Sequence, residues 1–271
     1  YIIFYFISSI FFILGIKMLS SPTTARRGNL ISFMGMLLAV TTTLLIVDYN
    51  LDSIVFISSG IFVGGVVGLI FAKKVQMTSM PQMVAIFNGL GGLASSLIAF
   101  SEIIRSDTTI SLNIISISIL ISILIGSVTF SGSITGFLKL QSLISGKPIL
   151  LPLRNYLNFI LLVSIICLMV ASFFYNEQTL IFYILISSCL LLGILIVLPI
   201  GGADMPVVIA LLNSYSGIVA AFTGFIFSNI ALIISGSLIG ASGLILTRIM
   251  TKAMNRSLAN VILGGFGATK E

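Results

Sequence analysis

Nine stretches of this chain are apolar for about 20 residues at a time, the length of helix that crosses a bilayer. They run near residues 1–19, 30–47, 53–72, 81–100, 112–138, 156–174, 179–198, 206–227 and 230–250. Short punctuation separates them: Ser20-Ser21-Pro22, Asp48-Tyr49-Asn50, Lys73-Lys74, Glu102 to Asp107, Gly146-Lys147-Pro148, Asn176-Glu177, Gly201 to Asp204 and Ser228-Asn229. Each carries turn formers or charge. The pattern predicts an all-α chain: a polytopic transmembrane helix bundle of about nine spans, with no room for a water-facing domain. Only the fifth run is ambiguous. Residues 110–138 make about 43 Å of helix, enough for one span with an interfacial start. Two spans need a break, and Gly126 alone is a poor one.

Charge decides between the two. With nine spans, one side receives Lys17, Arg26, Arg27, Lys73, Lys74, Lys139, Lys147, Arg154, Arg248, Lys252, Arg256 and Lys270, which is 12 of the 13 basic residues. Only Arg105 lies opposite, together with five of the seven acids: Asp48, Asp52, Glu102, Asp107 and Glu177. Positive loops stay on the cytoplasmic side, or on the matrix side in mitochondria, so this segregation supports nine spans with the N-terminus out and the C-terminus in. Splitting the fifth run would exchange every later loop.

Composition sharpens the class. Hydrophobic residues make up 58% of the chain and charged residues 7%, against about a quarter in soluble domains. The mean hydropathy is +1.25 and the isoelectric point near 9.5. The basic balance follows from topology, so a nucleic-acid partner is not expected. With no His, the chain holds no His-ligated metal site and no His-based triad. Cys167 and Cys189 sit in apolar runs and read as small buried hydrophobes. The chain opens on Tyr1 inside an apolar run, with no basic stretch ahead of it, and reads as a piece of a longer protein without a cleavable signal.

Three stripes of small residues, Gly60-x3-Gly64-x3-Gly68, Gly132-x3-Gly136 and Gly236-x3-Gly240, each put a smooth face on one helix. In lipid such faces let helices approach closely, and they argue for a compact bundle. One internal echo stands out. Met80-Pro81-Gln82-Met83-Val84-Ala85-Ile86-Phe87-Asn88-Gly89, then Gly92, matches Met205-Pro206-Val207-Val208-Ile209-Ala210-Leu211-Leu212-Asn213-Ser214, then Gly217. Both copies open a helix from the basic side with proline in the first turn, where its missing donor costs nothing. Asn88 and Asn213 each fall seven residues past their proline, about 10 Å into the helix. At matched depth they serve either as interhelical glue or as the lining of a water file. Asp204 precedes Pro206 after Gly201-Gly202. It is a helix cap favoured by the dipole, or a functional acid, being the one internal acid on the basic face. The last span carries small residues at Gly236–Gly243, then Arg248, Lys252 and Arg256. Gly264-Gly265-Phe266-Gly267 is too degenerate for a dinucleotide fingerprint, and no strand precedes it.

Gly201–Val208, Leu212–Gly217 and Ala253–Gly267 resemble the membrane domain of the beta subunit of proton-translocating NAD(P) transhydrogenase. So do Thr23–Asn29, Met80–Ala85, Val128–Ser133 and Lys139-Leu140-Gln141. The resemblance covers essentially the whole chain. It implies that residues 1–271 are a transmembrane proton-translocating domain, with an NADP(H)-binding domain following Glu271. It also implies that inward proton flow drives hydride transfer from NADH to NADP+ in soluble domains elsewhere. No cofactor is then expected in this chain; NADP(H) and NAD(H) belong to those domains. The implied partners are an alpha subunit, separate or fused, with transmembrane helices of its own, the NADP(H)-binding domain, the lipid bilayer and a second copy of the whole enzyme. The implied location is a bacterial or mitochondrial inner membrane.

By position, the resemblance places Asn213 on the proton path, Asp204 and Arg256 on the face where the NADP(H) domain couples, and Ser242 and Gly243 in the close-packed part of the last helix, Gly243 being counted with the coupling residues. Asn88, Asn213 and the nearby hydroxyls of Ser133 and Ser242 are expected to order water along the path. Asn88 stands where many family members carry a protonatable His, so a partner helix is expected to supply the titrating group. Two rival readings are open on the residues alone: an independent proton- or cation-coupled secondary transporter, and a structural scaffold. The echoed helices enter from the same side, whereas transporter repeats are commonly inverted.

Overall fold

The computed structural model describes residues 1–46, 50–105, 113–174 and 178–263. These are almost entirely helical, and no strand forms among them. Nine of their helices are long and apolar enough to cross a membrane. They are α1 (Ile2–Leu19), α2 (Ala25–Ile46), α3 (Leu51–Lys74), α4 (Met80–Arg105), α5 (Ile114–Leu140), α6 (Arg154–Ala171), α7 (Gln178–Val197), α8 (Met205–Ile226) and α9 (Ile230–Ala253). A short α10 (Leu258–Leu263) follows. The chain is a multi-pass membrane protein. Asp48, Asp107, Asn176, Glu177, Gly264–Gly267 and Lys270 lie outside the described residues.

The fifth run forms one helix of 27 residues, uninterrupted at Gly126. That is about 40 Å, one span with a margin. A helix apolar on all sides has no inward stripe to find, because lipid is as apolar as a protein core. Phe56, Phe62, Phe159 and Ile160 accordingly remain exposed. Helix association must then come from close approach and from polar contacts.

Residues 1–83 and 84–271 form two compact units. In the first, α1 and α2 pack as a hairpin on small residues. A Cβ added at Gly28 would sit 2.8 Å from the Gly15 carbonyl oxygen, and Ser8 Oγ donates to Gly35 O at 2.7 Å. The hairpin turn is closed by Thr24 Oγ1, which donates to Met18 O at 2.6 Å. The Gly60–Gly64–Gly68 face of α3 differs from expectation: among the described residues nothing comes within 4 Å of a Cβ built on any of the three, and α3 has no buried residue. Small spacing permits close approach; it does not supply the neighbour.

In the second unit α8 packs on α9 and α5, α5 on α7, and α7 on α6. Here the glycine stripes are used. A Cβ on Gly217 would lie 2.7 Å from Gly240 Cα, and one on Gly132 would meet Val197 and Leu212. Gly92 and Gly126 face each other across α4 and α5; a Cβ on either would fall within 2.8 Å of the other's carbonyl oxygen. Thus the glycine closing each copy of the echo does the same work: Gly92 admits α5 and Gly217 admits α9. Between these crossings lie two apolar cores. One gathers Ile119, Ile123, Ile165, Phe182 and Leu185, and the other Val197, Ile200, Met205, Val207 and Val261. Cys189 is buried in the first core as expected, but Cys167 is exposed on α6. An apolar run in lipid has an outer face as apolar as its inner one, so sequence could not place Cys167.

Candidate functional site

Both copies of the echo begin alike. A 3-10 turn, Met77–Ser79 or Gly202–Asp204, leads directly into a helix whose second residue is proline. Proline's fixed φ suits a first turn. Asn88 then sits eight residues into α4, and Ser133 seven residues before the end of α5. The two helices run antiparallel, so these residues meet. Asn88 Nδ2 donates to Ser133 Oγ at 2.9 Å, and both residues are buried. From the third side, Ser216 Oγ on α8 donates to the Asn88 carbonyl at 3.2 Å. Asn213 is half-buried and lies three residues from Ser216, on the same side of α8.

The cluster is under-bonded. Asn88 Oδ1, Thr129 Oγ1 and Ser122 Oγ are buried and find no hydrogen-bond partner among the described residues. Residues 122, 129 and 133 are spaced by seven and four, which puts them on one face of α5. Their span is eleven residues, about 16 Å, or half the hydrocarbon thickness. Beside them Ser96 Oγ and Ser127 Oγ are hydrogen-bonded at 2.8 Å across the α4–α5 crossing. A buried polar atom without a partner costs about 1–3 kcal/mol. Several on one face suit water, which makes about three hydrogen bonds at a buried site. The described apolar cavity, about 90 Å³, is lined by Val128, Ile196, Val207, Leu211 and Val261 among others. Neither Asn88 nor Ser133 lines it; beside them α4 and α5 pack closely, a Cβ on Gly89 lying 3.2 Å from Ser133 Cβ.

The second constellation lies at the helix ends. Asp204 is the N-cap residue of α8, yet its side chain makes no capping hydrogen bond. Instead Oδ2 accepts from Arg256 Nη1 at 3.1 Å. The end of α9 explains how Arg256 reaches it. Asn255 adopts a left-handed conformation, φ 54°, and Arg256 N donates to Thr251 O at 2.9 Å. That is a helix-ending turn built on Asn rather than the usual Gly, and it folds Arg256 back. Asp204 Oδ1 remains buried without a hydrogen-bond partner among the described residues. Gly243 backs the same helix pair: a Cβ there would lie 2.8 Å from Ser214 Cα. Ser214 Oγ donates to Gly240 O at 2.7 Å.

Of the residues singled out in the sequence, Asn88 and Ser133 come together, as do Asp204 and Arg256. Asn213 adjoins the first pair through Ser216. Ser242 does not join them: it is exposed on α9 and donates to Ile239 O in its own helix at 2.9 Å. It is next to the buried Gly243 in sequence but about 100° away around the helix. Sequence reasoning passed over Ser216 and Thr129, which motif spacing alone does not distinguish from other span hydroxyls. It also passed over Lys139 as a buried group.

An α-helical multi-pass membrane protein with glycine crossings, a buried amide–hydroxyl cluster and an ion pair at its helix ends is the class defined so far. Comparison with known proteins narrows it. The sequence profile of the NAD(P) transhydrogenase beta subunit matches residues 1–271, and the chain belongs to that family. Two relatives, both NAD(P) transhydrogenase subunit beta of Rhodospirillum rubrum, are 43% identical over 271 residues. The match takes in 97% of this chain and 58% of theirs. The chain therefore spans a little over half the length of these relatives.

Proposed function

We propose that this chain is the proton-conducting membrane part of a transhydrogenase. In this reading, inward proton flow drives hydride transfer from NADH to NADP+ in soluble nucleotide-binding domains, and this part binds neither nucleotide. The observation that carries the reading is the under-bonded polar face of α5, with Asn88 and Ser133 at its inner end. In a hydrocarbon interior, buried polar groups left without partners are expensive and mark ion or proton pathways.

The path has two halves. Ser122, Thr129, Ser133 and Asn88, with ordered water, serve about 16 Å of it. Asn213 lies beside the same cluster, and Ser242 remains a candidate for the far side of α9. None of these side chains titrates near neutral pH, so a helix of the alpha subunit brings a His or an acid to the Asn88 depth. Close packing around Asn88 means that conduction waits on a rearrangement, as a coupled device requires. At the inner end, Asp204 and Arg256, backed by Gly243, report the state of the path to the NADP(H)-binding domain. The complete enzyme is taken to be a dimer in a bacterial or mitochondrial inner membrane.

The test uses the complete enzyme, with its partner subunit, in sealed vesicles whose nucleotide sites face outward. An imposed proton gradient directed out of the vesicles should accelerate NADPH formation from NADH several-fold, and an uncoupler should abolish the acceleration. A rate indifferent to gradient and uncoupler would overturn the reading.

A further inference from the structure

Lys139 sits in the last turn of α5 and is buried, 2% exposed. No carboxylate pairs with it among the described residues. Its ammonium is instead held by three backbone carbonyls. Nζ donates to Ile200 O at 2.8 Å, to Leu198 O, and more loosely to Lys147 O at 3.4 Å. Three acceptors match the three protons of an ammonium. Leu198 and Ile200 lie just past the end of α7, where unpaired carbonyls and the helix dipole favour a cation.

The carbonyls belong to a short connector with a second anchor. Gly202 N donates to Gly146 O at 2.8 Å, and Ile149 N to Leu198 O at 3.3 Å. So Lys139 and the loop after it grip residues 198–202 from one side. Four residues beyond Ile200 is Asp204, whose backbone N donates to Gly201 O at 3.0 Å and whose carboxylate meets Arg256. The connector is therefore pinned at one end by Lys139 and paired at the other with the end of α9.

We propose that Lys139 is a positioning residue: its buried ammonium fixes the α7–α8 connector, and thereby holds Asp204 in register with Arg256. The inference rests on the reading of that pair as the coupling element, but its geometric core can be tested without it. Loss of the ammonium strands the Ile200 carbonyl in an apolar setting and leaves Leu198 O with Ile149 N alone, and the cheapest relief is movement of the connector toward water. Asp204 moves with it.

The experiment uses the complete enzyme in membranes, with Cys167→Ser and Cys189→Ala as background. Asp204→Cys and Arg256→Cys are bridged by a short bis-methanethiosulfonate reagent, and the rate of bridging is measured. Lys139→Met, and Lys139→Gln should the first variant reach the membrane poorly, should slow bridging at least fivefold. Lys139→Arg, which keeps charge and donors, should recover at least half the rate. A control pair, Ser96→Cys with Ser127→Cys, reports the α4–α5 crossing by direct disulfide formation and should be unchanged. Unchanged bridging at 204–256 overturns the proposal, as does equal slowing of both pairs, which marks general loss of structure. Proton-driven turnover of Asp204→Asn separates the two ideas. Near-normal turnover with slowed bridging removes the coupling role and leaves the positioning role standing. A strong turnover defect with unchanged bridging does the reverse.

Discussion

At the residue scale, the contest is between cap and coupler at Asp204. A cap accepts from the first-turn N–H groups, and Asp204 does not; it pairs with Arg256 at 3.1 Å. Arg256 is partly exposed, so the pair contributes to stability about 1 kcal/mol at most. A carboxylate retained there for stability alone would be easily replaced. We therefore expect Asp204→Asn in the complete enzyme to lower proton-driven turnover at least tenfold while folded protein in the membrane stays within twofold of wild type. Turnover and yield falling together would return Asp204 to a structural role. Sequence showed that Asp204 is unusual, through its rarity on the basic face, and the resemblance suggested Arg256 alongside it. Neither showed the Asn255 turn that joins them, because a left-handed Asn is a matter of backbone conformation that few residue types announce. Lys139 was hidden for a related reason. A cation at the inner end of a span is usually a topological marker, and only the fold reveals that this one is buried among carbonyls.

Among the elements, helix existence was written in the hydrophobic runs, and the single-span reading of the fifth run holds over its described part, Ile114–Leu140. Partner choice was not, because the spans are apolar all round and give no direction. Glycine spacing was a partial guide. It marked the face of α9 that meets α8, without naming the partner, yet its regular stripe on α3 meets nothing within 4 Å among the described residues. The crossing at Gly92 and Gly126 came instead from the last glycine of the echo and from a glycine considered only as a weak helix breaker. It gives a matched pair of predictions. Gly92→Ala forces a Cβ to 2.8 Å from the Gly126 carbonyl oxygen, which should destabilise the protein by about 1–3 kcal/mol. Among the described residues nothing lies within 4 Å of a Cβ built on Gly91, so Gly91→Ala should be neutral, or stabilising by up to about 1 kcal/mol from helix propensity. Unfolding of the two variants in detergent measures the difference. Equal stability would mean that α4 and α5 do not approach as described.

On the scale of the whole molecule, topology follows from the charges. Lys147 and Arg105 flank α5 and are both exposed, and they should lie on opposite faces of the membrane. Lys147→Cys and Arg105→Cys, in a background lacking Cys167, should each react with a membrane-impermeant maleimide from one side only, and from different sides. Labelling of both from the same side would mean that α5 does not cross. The family belongs to the entire chain, whereas the path through it is our inference from one face of α5, and its inner end at Asn88 is the place to test it. Asn88→Leu removes the amide and its unpaired Oδ1 but keeps side-chain size, so folding should survive. The decisive measurement is the acid taken up by sealed vesicles of the complete Asn88→Leu enzyme, nucleotide sites outward, while the reaction runs in reverse from NADPH to NAD+, followed with a trapped pH dye beside hydride transfer. We predict that both fall together at least tenfold, with the enzyme still folded in the membrane. Proton uptake and hydride transfer at near wild-type rates in Asn88→Leu would contradict a path through the α4–α5–α8 cluster.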